Sequence, residues 1–311
     1  MATTKVIADI IDLNKANTTK SFKMPSGTAF SGTPVEGMLR NDTSQSSQSS
    51  ASTMQFYNGT AWKNFVNASS CTTSTLNYPT GVTGTALYEF DGNANSTSSS
   101  SYDAASTANL TYNTSIKRYG TSSAYFNGSN TTINLPLTSF HFSAFTISCW
   151  VYLPTYPPSS VYVIMSTYDY GTSGPSKGWQ LYITGDGKLQ VDLHSGDCGS
   201  PYPVDPSCTA YTRLTSTNLI PQNTWSHLSL VCGGTGNDVK LYIDANQEAT
   251  TTMQGLAYYA GQTPTIGYRI YSVSGTVYQE AYFGGYIDQL RGYNTALTGT
   301  QIQSLQNEVP C

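Results

Sequence analysis

Charge is what this chain has least of. Among 311 residues only 14 are Lys or Arg and 18 are Asp or Glu, leaving a net charge of -4. Neutralising a phosphate backbone takes clustered cations, so nucleic acid is excluded as a partner. Glutamate is scarce, with Glu36, Glu89, Glu248, Glu280 and Glu308 the only five. Histidine occurs at His141, His194 and His227 alone. No apolar run reaches the 18 or so residues of a membrane helix, so no membrane partner is expected. Met1 to Leu13 contains Lys5, Asp9 and Asp12 and no long apolar stretch, so no secretory leader is expected either.

Tyrosine is plentiful, at 24 residues, and aromatics reach 12%. That composition opposes disorder and, together with Thr and Val, favours strands. In Phe145-Thr-Ile-Ser-Cys-Trp-Val-Tyr-Leu153 one face carries Phe145, Ile147, Cys149, Val151 and Leu153. The other carries Thr146, Ser148, Trp150 and Tyr152, the alternation of a half-buried strand. Leu181 to Ile183 and Leu189 to Leu193 flank Thr184-Gly-Asp-Gly-Lys188, a hairpin signal. Trp225 to Cys232 and Val239 to Ile243 alternate again. Thr298 with Gln301 has the spacing of a helix capping box, and Ile302 and Leu305 follow as its apolar stripe. The chain divides into a core-poor element over 1–66, a linker over 67–84 and a β-sandwich body over 85–311. The polar run Thr43 to Ser50 inside the first part reads as a loop.

Six segments of the body, in order, resemble the laminin-G-like, concanavalin A-like jelly-roll family. They are Ala86-Leu-Tyr-Glu-Phe-Asp-Gly-Asn-Ala-Asn95, Ser123 to Asn130, Phe145 to Val151, Asn223-Thr-Trp-Ser-His-Leu228, Val239 to Asp244 and Gly285 to Leu297. The resemblance implies an all-β, antiparallel sandwich and does not by itself fix an activity. Pro25 to Thr28, Pro34 to Arg40 and Phe56-Tyr-Asn-Gly-Thr-Ala-Trp62 resemble segments of phage and large-virus tail-fibre and virion proteins. This second resemblance implies a small N-terminal β-element that docks to other virion proteins or to sister chains, as a homo-oligomer and most naturally a trimer. It implies a location on the virion surface. The alternative is an ordinary β-appendage packed on its own sandwich.

Six cysteines allow three disulfides in 15 pairings. Cys198 and Cys208 bracket a Pro-rich loop that a bond would staple. Cys149 and Cys232 both fall on apolar strand faces, which suggests a pair in the core. Cys71 and Cys311 flank the body, and the family resemblance implies that its first and last strands are neighbours. For each pair the alternative is two free thiols.

Asp91-Gly-Asn-Ala-Asn95 sets oxygen side chains at alternate positions, as a hard cation requires. By resemblance a structural calcium would lie between this loop and an Asp on the last strand, giving Asp91, Asn93 and Asp288. The alternative for Asp91 and Asn93 is an Asx turn. Host-surface glycan is the ligand the fold resemblance implies. Tyr168, Asp169, Tyr170, Trp179 and Tyr202 supply rings and polar partners for it, and Tyr258 and Tyr259 form another candidate. Catalysis is not expected. Glycoside hydrolases on this fold need paired carboxylates, and Glu89-Phe-Asp91 has no following Glu. The expectation is a viral structural protein displayed on the virion, as a capsid decoration or a tail fibre or spike, with a lectin-like domain for attachment to host-surface glycans. A cellular or secreted lectin-like adhesin, or a glycan-cleaving enzyme, is the alternative.

Overall fold

The computed structural model describes strands at 26–27, 39–42, 53–57 and 62–64, and residues 79, 82–158, 161–169, 176–196, 211–273 and 276–308. Two compact units divide the chain, Met1–Thr72 and Thr73–Cys311. The first holds β1 (Ser26–Gly27), β2 (Leu39–Asp42), β3 (Thr53–Tyr57) and β4 (Trp62–Asn64), hydrogen-bonded in that order. β1 and β2 are parallel, and the other two pairings are antiparallel.

The second unit begins with β5 (Ala86–Tyr88), β6 (Ser106–Ala108), β7 (Thr111–Asn113), β8 (Ser123–Asn127) and β9 (Thr132–Asn134). β10 (Phe145–Tyr152), β11 (Val161–Ser166), β12 (Lys177–Thr184), β13 (Lys188–Ser195) and β14 (Tyr211–Leu219) follow. Then come β15 (Trp225–Cys232), β16 (Asp238–Ile243), β17 (Asn246–Thr252), β18 (Thr265–Ile266), β19 (Arg269–Val273), β20 (Thr276–Glu280), β21 (Gly284–Tyr293) and α1 (Gly299–Gln306). One sheet of eight strands runs β17-β16-β15-β10-β21-β8-β7, with β5 also on β21. A second, of seven, runs β14-β13-β12-β11-β18-β9-β6, and β19 and β20 form a separate hairpin. The unit is thus the antiparallel two-sheet sandwich that the alternating segments predict.

Alternation fills the space between the sheets. Phe145, Ile147, Cys149 and Val151 point inward from β10, Trp179, Leu181 and Ile183 from β12, and Leu189, Val191 and Leu193 from β13, all fully buried. Phe145 stacks on Trp179 with centroids 4.9 Å apart. Each such side chain contributes roughly 1.5–3 kcal/mol by leaving water. The β12–β13 turn keeps Gly187 at φ +84°, where a side chain would strike the Tyr156 ring.

The strand Phe145–Tyr152 is more enclosed than its half-buried pattern predicts, because every residue but Tyr152 is buried. Its outer face is covered at Trp150, and the strands beside it are covered by α1. Arg118 lies 4.0 Å from the Trp150 ring centroid and Tyr119 meets Trp150 edge-on. α1 seals Ile302 and Leu305 against Val231, Tyr242 and Tyr293. The capping box forms as its spacing predicts, with the Gln301 N–H donating to Thr298 Oγ1 and the Thr298 N–H to Gln301 Oε1.

The expected Cys149–Cys232 disulfide is overturned. Both thiols are free and buried. They do face the core, but on adjacent strands Cys149 lies opposite Leu228 and Cys232 opposite Phe145, four positions apart. That offset exceeds what a disulfide spans. Cys232 instead contacts the Met253 sulfur at 3.2 Å. Burial pushes the Cys149 thiol up to about 12 and that of Cys232 to about 11, so neither is a ready nucleophile. Cys71, Cys198, Cys208 and Cys311 lie outside the described residues. Alkylation of the native protein should leave Cys149 and Cys232 unmodified, and alkylation in non-reducing denaturant should label both. A cross-linked peptide containing the two would contradict the register.

Candidate functional site

The outer face of the seven-stranded sheet carries a polar cluster where alternation alone would place solvent-facing residues. The register sets Gln180 beside Asp192, Tyr182 beside Gln190, Asp192 beside Arg213 and His194 beside Tyr211. Asp192 is 2% exposed and sits at the centre. Its Oδ1 accepts hydrogen bonds from Tyr211 Oη and Arg213 Nε, each at 2.7 Å. Its Oδ2 accepts from Tyr182 Oη at 2.9 Å, Arg213 Nη2 at 3.0 Å and Gln180 Nε2 at 3.1 Å.

The network extends outward from that carboxylate. Gln190 Nε2 donates to Tyr182 Oη, and Thr215 Oγ1 donates to Gln190 Oε1 at 3.0 Å. Gln180 Oε1 accepts from Arg269 Nη1 at 3.1 Å, and Arg269 is paired with Glu280. Burying a carboxylate is costly unless it is paired and fully hydrogen-bonded. Here the two-pronged Arg213 contact and three neutral donors meet that demand. Burial pushes the Asp192 carboxyl up, but the Arg213 hydrogen bonds and charge and the Tyr211 hydroxyl outweigh it, and its pKa falls below the ordinary value. The same contacts raise Arg213, mainly through its hydrogen bonds to Asp192.

His194 lies between Tyr168 and Tyr211, each with its ring centroid 4.7 Å away. Burial lowers its pKa to about 4, against the opposing pull of the Asp192 charge, so the imidazole is neutral at pH 7. Gly178 makes the Tyr168–His194 approach possible. At φ +87° it stands opposite His194, and a Cβ there would come 2.0 Å from the Thr167 carbonyl oxygen. Tyr211 and Thr215 are partly exposed, and the Arg213 side chain is 40% exposed. The face therefore borders solvent with a partly exposed Tyr211 ring, the Arg213 guanidinium lying 5.2 Å from its centroid, and the Thr215 hydroxyl, above a rigid buried anchor.

The residues expected to bind ligand separate in this structure. Tyr168 joins the cluster, with Oη 3.2 Å from Ser176 Oγ. Asp169 is placed at the edge by two backbone hydrogen bonds with Lys177, both 3.0 Å. Trp179 is a correction: it is fully buried and stacked on Phe145, because the alternation of β12 turns it inward with Leu181 and Ile183. Tyr170 and Tyr202 lie outside the described residues. Tyr258 is half-buried, stacked on His141 at 4.3 Å, and Tyr259 receives Lys177 Nζ 4.7 Å above its ring.

The cation candidates also separate. Asp91 Oδ1 accepts the backbone N–H groups of Thr121 at 2.6 Å and Ser122 at 2.9 Å. Asp288 Oδ2 accepts those of Arg118 at 2.7 Å and Tyr119 at 3.1 Å. One short segment thus hangs between the two carboxylates. Asp288 is fully buried, and its Oδ1 lacks a hydrogen-bond partner. Burial, with the Asp91 charge adding, pushes its pKa up to about 7. This donor chemistry fits a hard cation at Asp91 and Asp288. Asn93 is turned elsewhere, its Oδ1 accepting the Asn95 N–H at 2.9 Å in an Asx turn. Among the described residues no three His, Cys, Asp or Glu side chains gather as a cation cluster.

A buried serine–histidine contact has no counterpart in the sequence reading. Ser148 Oγ lies 2.7 Å from His227 Nε2 on the covered outer face of the eight-stranded sheet. His227 Nδ1 has no partner, and burial lowers the pKa to about 3. A dyad without an orienting acid or access for substrate is not a nucleophile–base pair.

Comparison with known proteins follows the same lines. A profile described as the concanavalin A-like lectin/glucanases superfamily matches residues 127–303. No curated protein matches the chain. The binding domain of botulinum neurotoxin serotype G is similar at 14% identity and TM-score 0.51, over 72% of this chain and 50% of that one. The receptor binding domain of the C/D mosaic neurotoxin is similar at 15% identity and TM-score 0.51, over 71% and 50%. The chain thus spans about half the length of those toxin domains. Domain 4 of an extracellular arabinanase from Geobacillus stearothermophilus, solved with arabinotriose, aligns at 20% identity and TM-score 0.47, over 72% of this chain and 98% of that one.

Replacing Asp192 with Asn removes the charge that Arg213 and the tyrosines answer. Because Arg213 is partly solvated, the expected loss is about 3 kcal/mol, the low end for breaking a buried pair. The depressed Asp192 pKa makes its stabilisation complete above the ordinary carboxylate range and lost as pH falls through the folded value. The low folded pKa of His194 acts in the same direction, since only the unfolded chain takes up its proton between about pH 6.5 and 4. Denaturant unfolding as pH falls from about 5 toward 2 should show falling stability in the parent and a shallower fall in Asp192→Asn. Equal pH slopes would contradict the pairing. On its match over more than half its length, the chain belongs to the concanavalin A-like lectin/glucanase superfamily.

Proposed function

We propose that the body is a glycan-binding domain without catalytic activity, and that its ligand lies on the outer face of the seven-stranded sheet. The observation that carries this reading is the Asp192 network, which holds a partly exposed Tyr211 ring beside a partly exposed Arg213. A ring face can stack on the C–H face of a sugar, and guanidinium and hydroxyl groups can bond its hydroxyls. Because the carboxylate already fixes both, little ordering cost remains on binding. Asp192 itself is fully occupied by five donors, which suits an anchor rather than an acid or base. Membership of a lectin/glucanase superfamily supports carbohydrate as the ligand class.

The reading extends to the rest of the chain. The N-terminal strands, of two, four, five and three residues, are too short to bury a substantial core alone. They suit an element that docks to sister chains, as a trimer, or to other virion proteins, with the body displayed on the virion surface toward host glycans. A structural calcium held by Asp91 and Asp288 would pin the 118–122 segment to the last strand.

On a glycan array the protein should bind at least one saccharide, and Tyr211→Ala should weaken that binding tenfold or more, about 1.4 kcal/mol. The same saccharide should not be cleaved. An array without a hit, or an unchanged Tyr211→Ala, would overturn the reading. Calcium should raise the unfolding midpoint of the parent by several degrees and leave that of Asp288→Asn unmoved. Equal shifts in the two would remove the cation from the account.

A further inference from the structure

The outer face of the eight-stranded sheet carries a second feature. The ladder register sets Trp225 opposite Tyr152, Tyr152 opposite Tyr286, and Tyr286 opposite Tyr125. Four rings therefore form one row across β15, β10, β21 and β8. Their centroids are spaced at 5.8, 5.7 and 5.0 Å. Their neighbours Val151, Ile287 and Ala124 are buried in the core, so alternation turns the row outward. Tyr125 is 36% exposed and the other three are partly exposed.

We propose that this row is a second saccharide-contacting surface, on the sheet opposite the Asp192 face. The inference rests on the glycan-binding reading of the body, but not on where that reading puts its first site. The row's chemistry matches one side of a sugar chain. It offers ring faces for C–H groups, and no charged side chain interrupts it. The hydroxyls of Tyr125, Tyr152 and Tyr286 bond no other described residue, which leaves them for the sugar's own hydroxyls. Cross-strand ring contacts also stabilise a sheet, yet that role is served as well by buried rings and does not require unspent hydroxyls at the surface.

Size separates a saccharide from a protein partner. Four rings, each exposing about a third or less of its surface, offer on the order of 250 Å² together. A stable protein interface takes roughly 800 Å² from each side. The strip is one residue deep along each strand, which suits a narrow chain lying across the strands and not a second copy of this domain.

The test uses the full chain in affinity electrophoresis, through gels cast with soluble β-glucan, xylan, arabinan or mannan. The parent should be retarded in at least one. Tyr152→Ala/Tyr286→Ala should weaken the association at least tenfold. Tyr152→Phe/Tyr286→Phe keeps the rings and the packing, and should weaken it about threefold while leaving the unfolding midpoint unchanged. If the Ala pair fails to fold, the Phe pair decides. A folded row variant retarded as strongly as the parent overturns this inference and leaves the Asp192 face standing. Loss on the row variants with Tyr211→Ala unaffected supports the row and removes the first site. A parent that no gel retards overturns both. Light scattering showing that the row variants lose a dimer would assign the surface to a second copy and overturn the inference.

Discussion

A carboxylate buried on the outer face of a sheet must be answered, and how Asp192 is answered organises everything around it. Left unpaired, the charge would cost several kcal/mol and the strand would not hold its place. Arg213 from the next strand binds it at two points, and Tyr182, Tyr211 and Gln180 complete its lone pairs. These partners come from the two strands that flank β13, so the network also ties β12, β13 and β14 together. Arg269 and Glu280 extend it to the β19–β20 hairpin. Side chains that would otherwise sample many rotamers are thereby fixed on one surface, which is the property a recognition face needs.

The two sheets use their outer faces differently. On the seven-stranded sheet the polar cluster borders solvent. On the eight-stranded sheet the middle of the outer face is roofed, by α1 over Val231 and Tyr293 and by Arg118 and Tyr119 over Trp150. Asp91 and Asp288 fasten that segment through its backbone N–H groups. At the end of the sheet beyond this roof, the aromatic row is left partly open. A single sandwich thus presents two chemically distinct surfaces, one built on ion pairing and one on rings.

Much of the fold was legible because alternation is a local signal. Phe145 to Leu153 shows its inward set directly, the Thr184 to Lys188 turn marks its hairpin, and Thr298 with Gln301 marks the helix start. Register is not local. Cys149 and Cys232 could both be assigned to the core, but their four-residue offset depends on which residues of β10 and β15 face each other. The same limit hid the polar face around Asp192. In sequence, Asp192 and His194 look like the solvent side of an ordinary strand, and the partner Arg213 lies across the segment 197–210. Only pairing of β13 with β14 brings them together. Trp179 leaves the expected ligand set because its place on β12, on the same face as Leu181 and Ile183, makes it core. The four-ring row was invisible for a like reason, since Tyr125, Tyr152, Trp225 and Tyr286 are scattered along the chain.

A saccharide bound as proposed would rest on groups held in place by Asp192. A crystal structure of the full chain with its best-bound saccharide tests this most directly. Sugar density is expected over the Tyr211 ring, with a hydroxyl bonded to Arg213 and the Asp192–Arg213 pair intact. Density elsewhere on the sandwich with that face empty, or a ligand that breaks the pair to bind Asp192 itself, would contradict it.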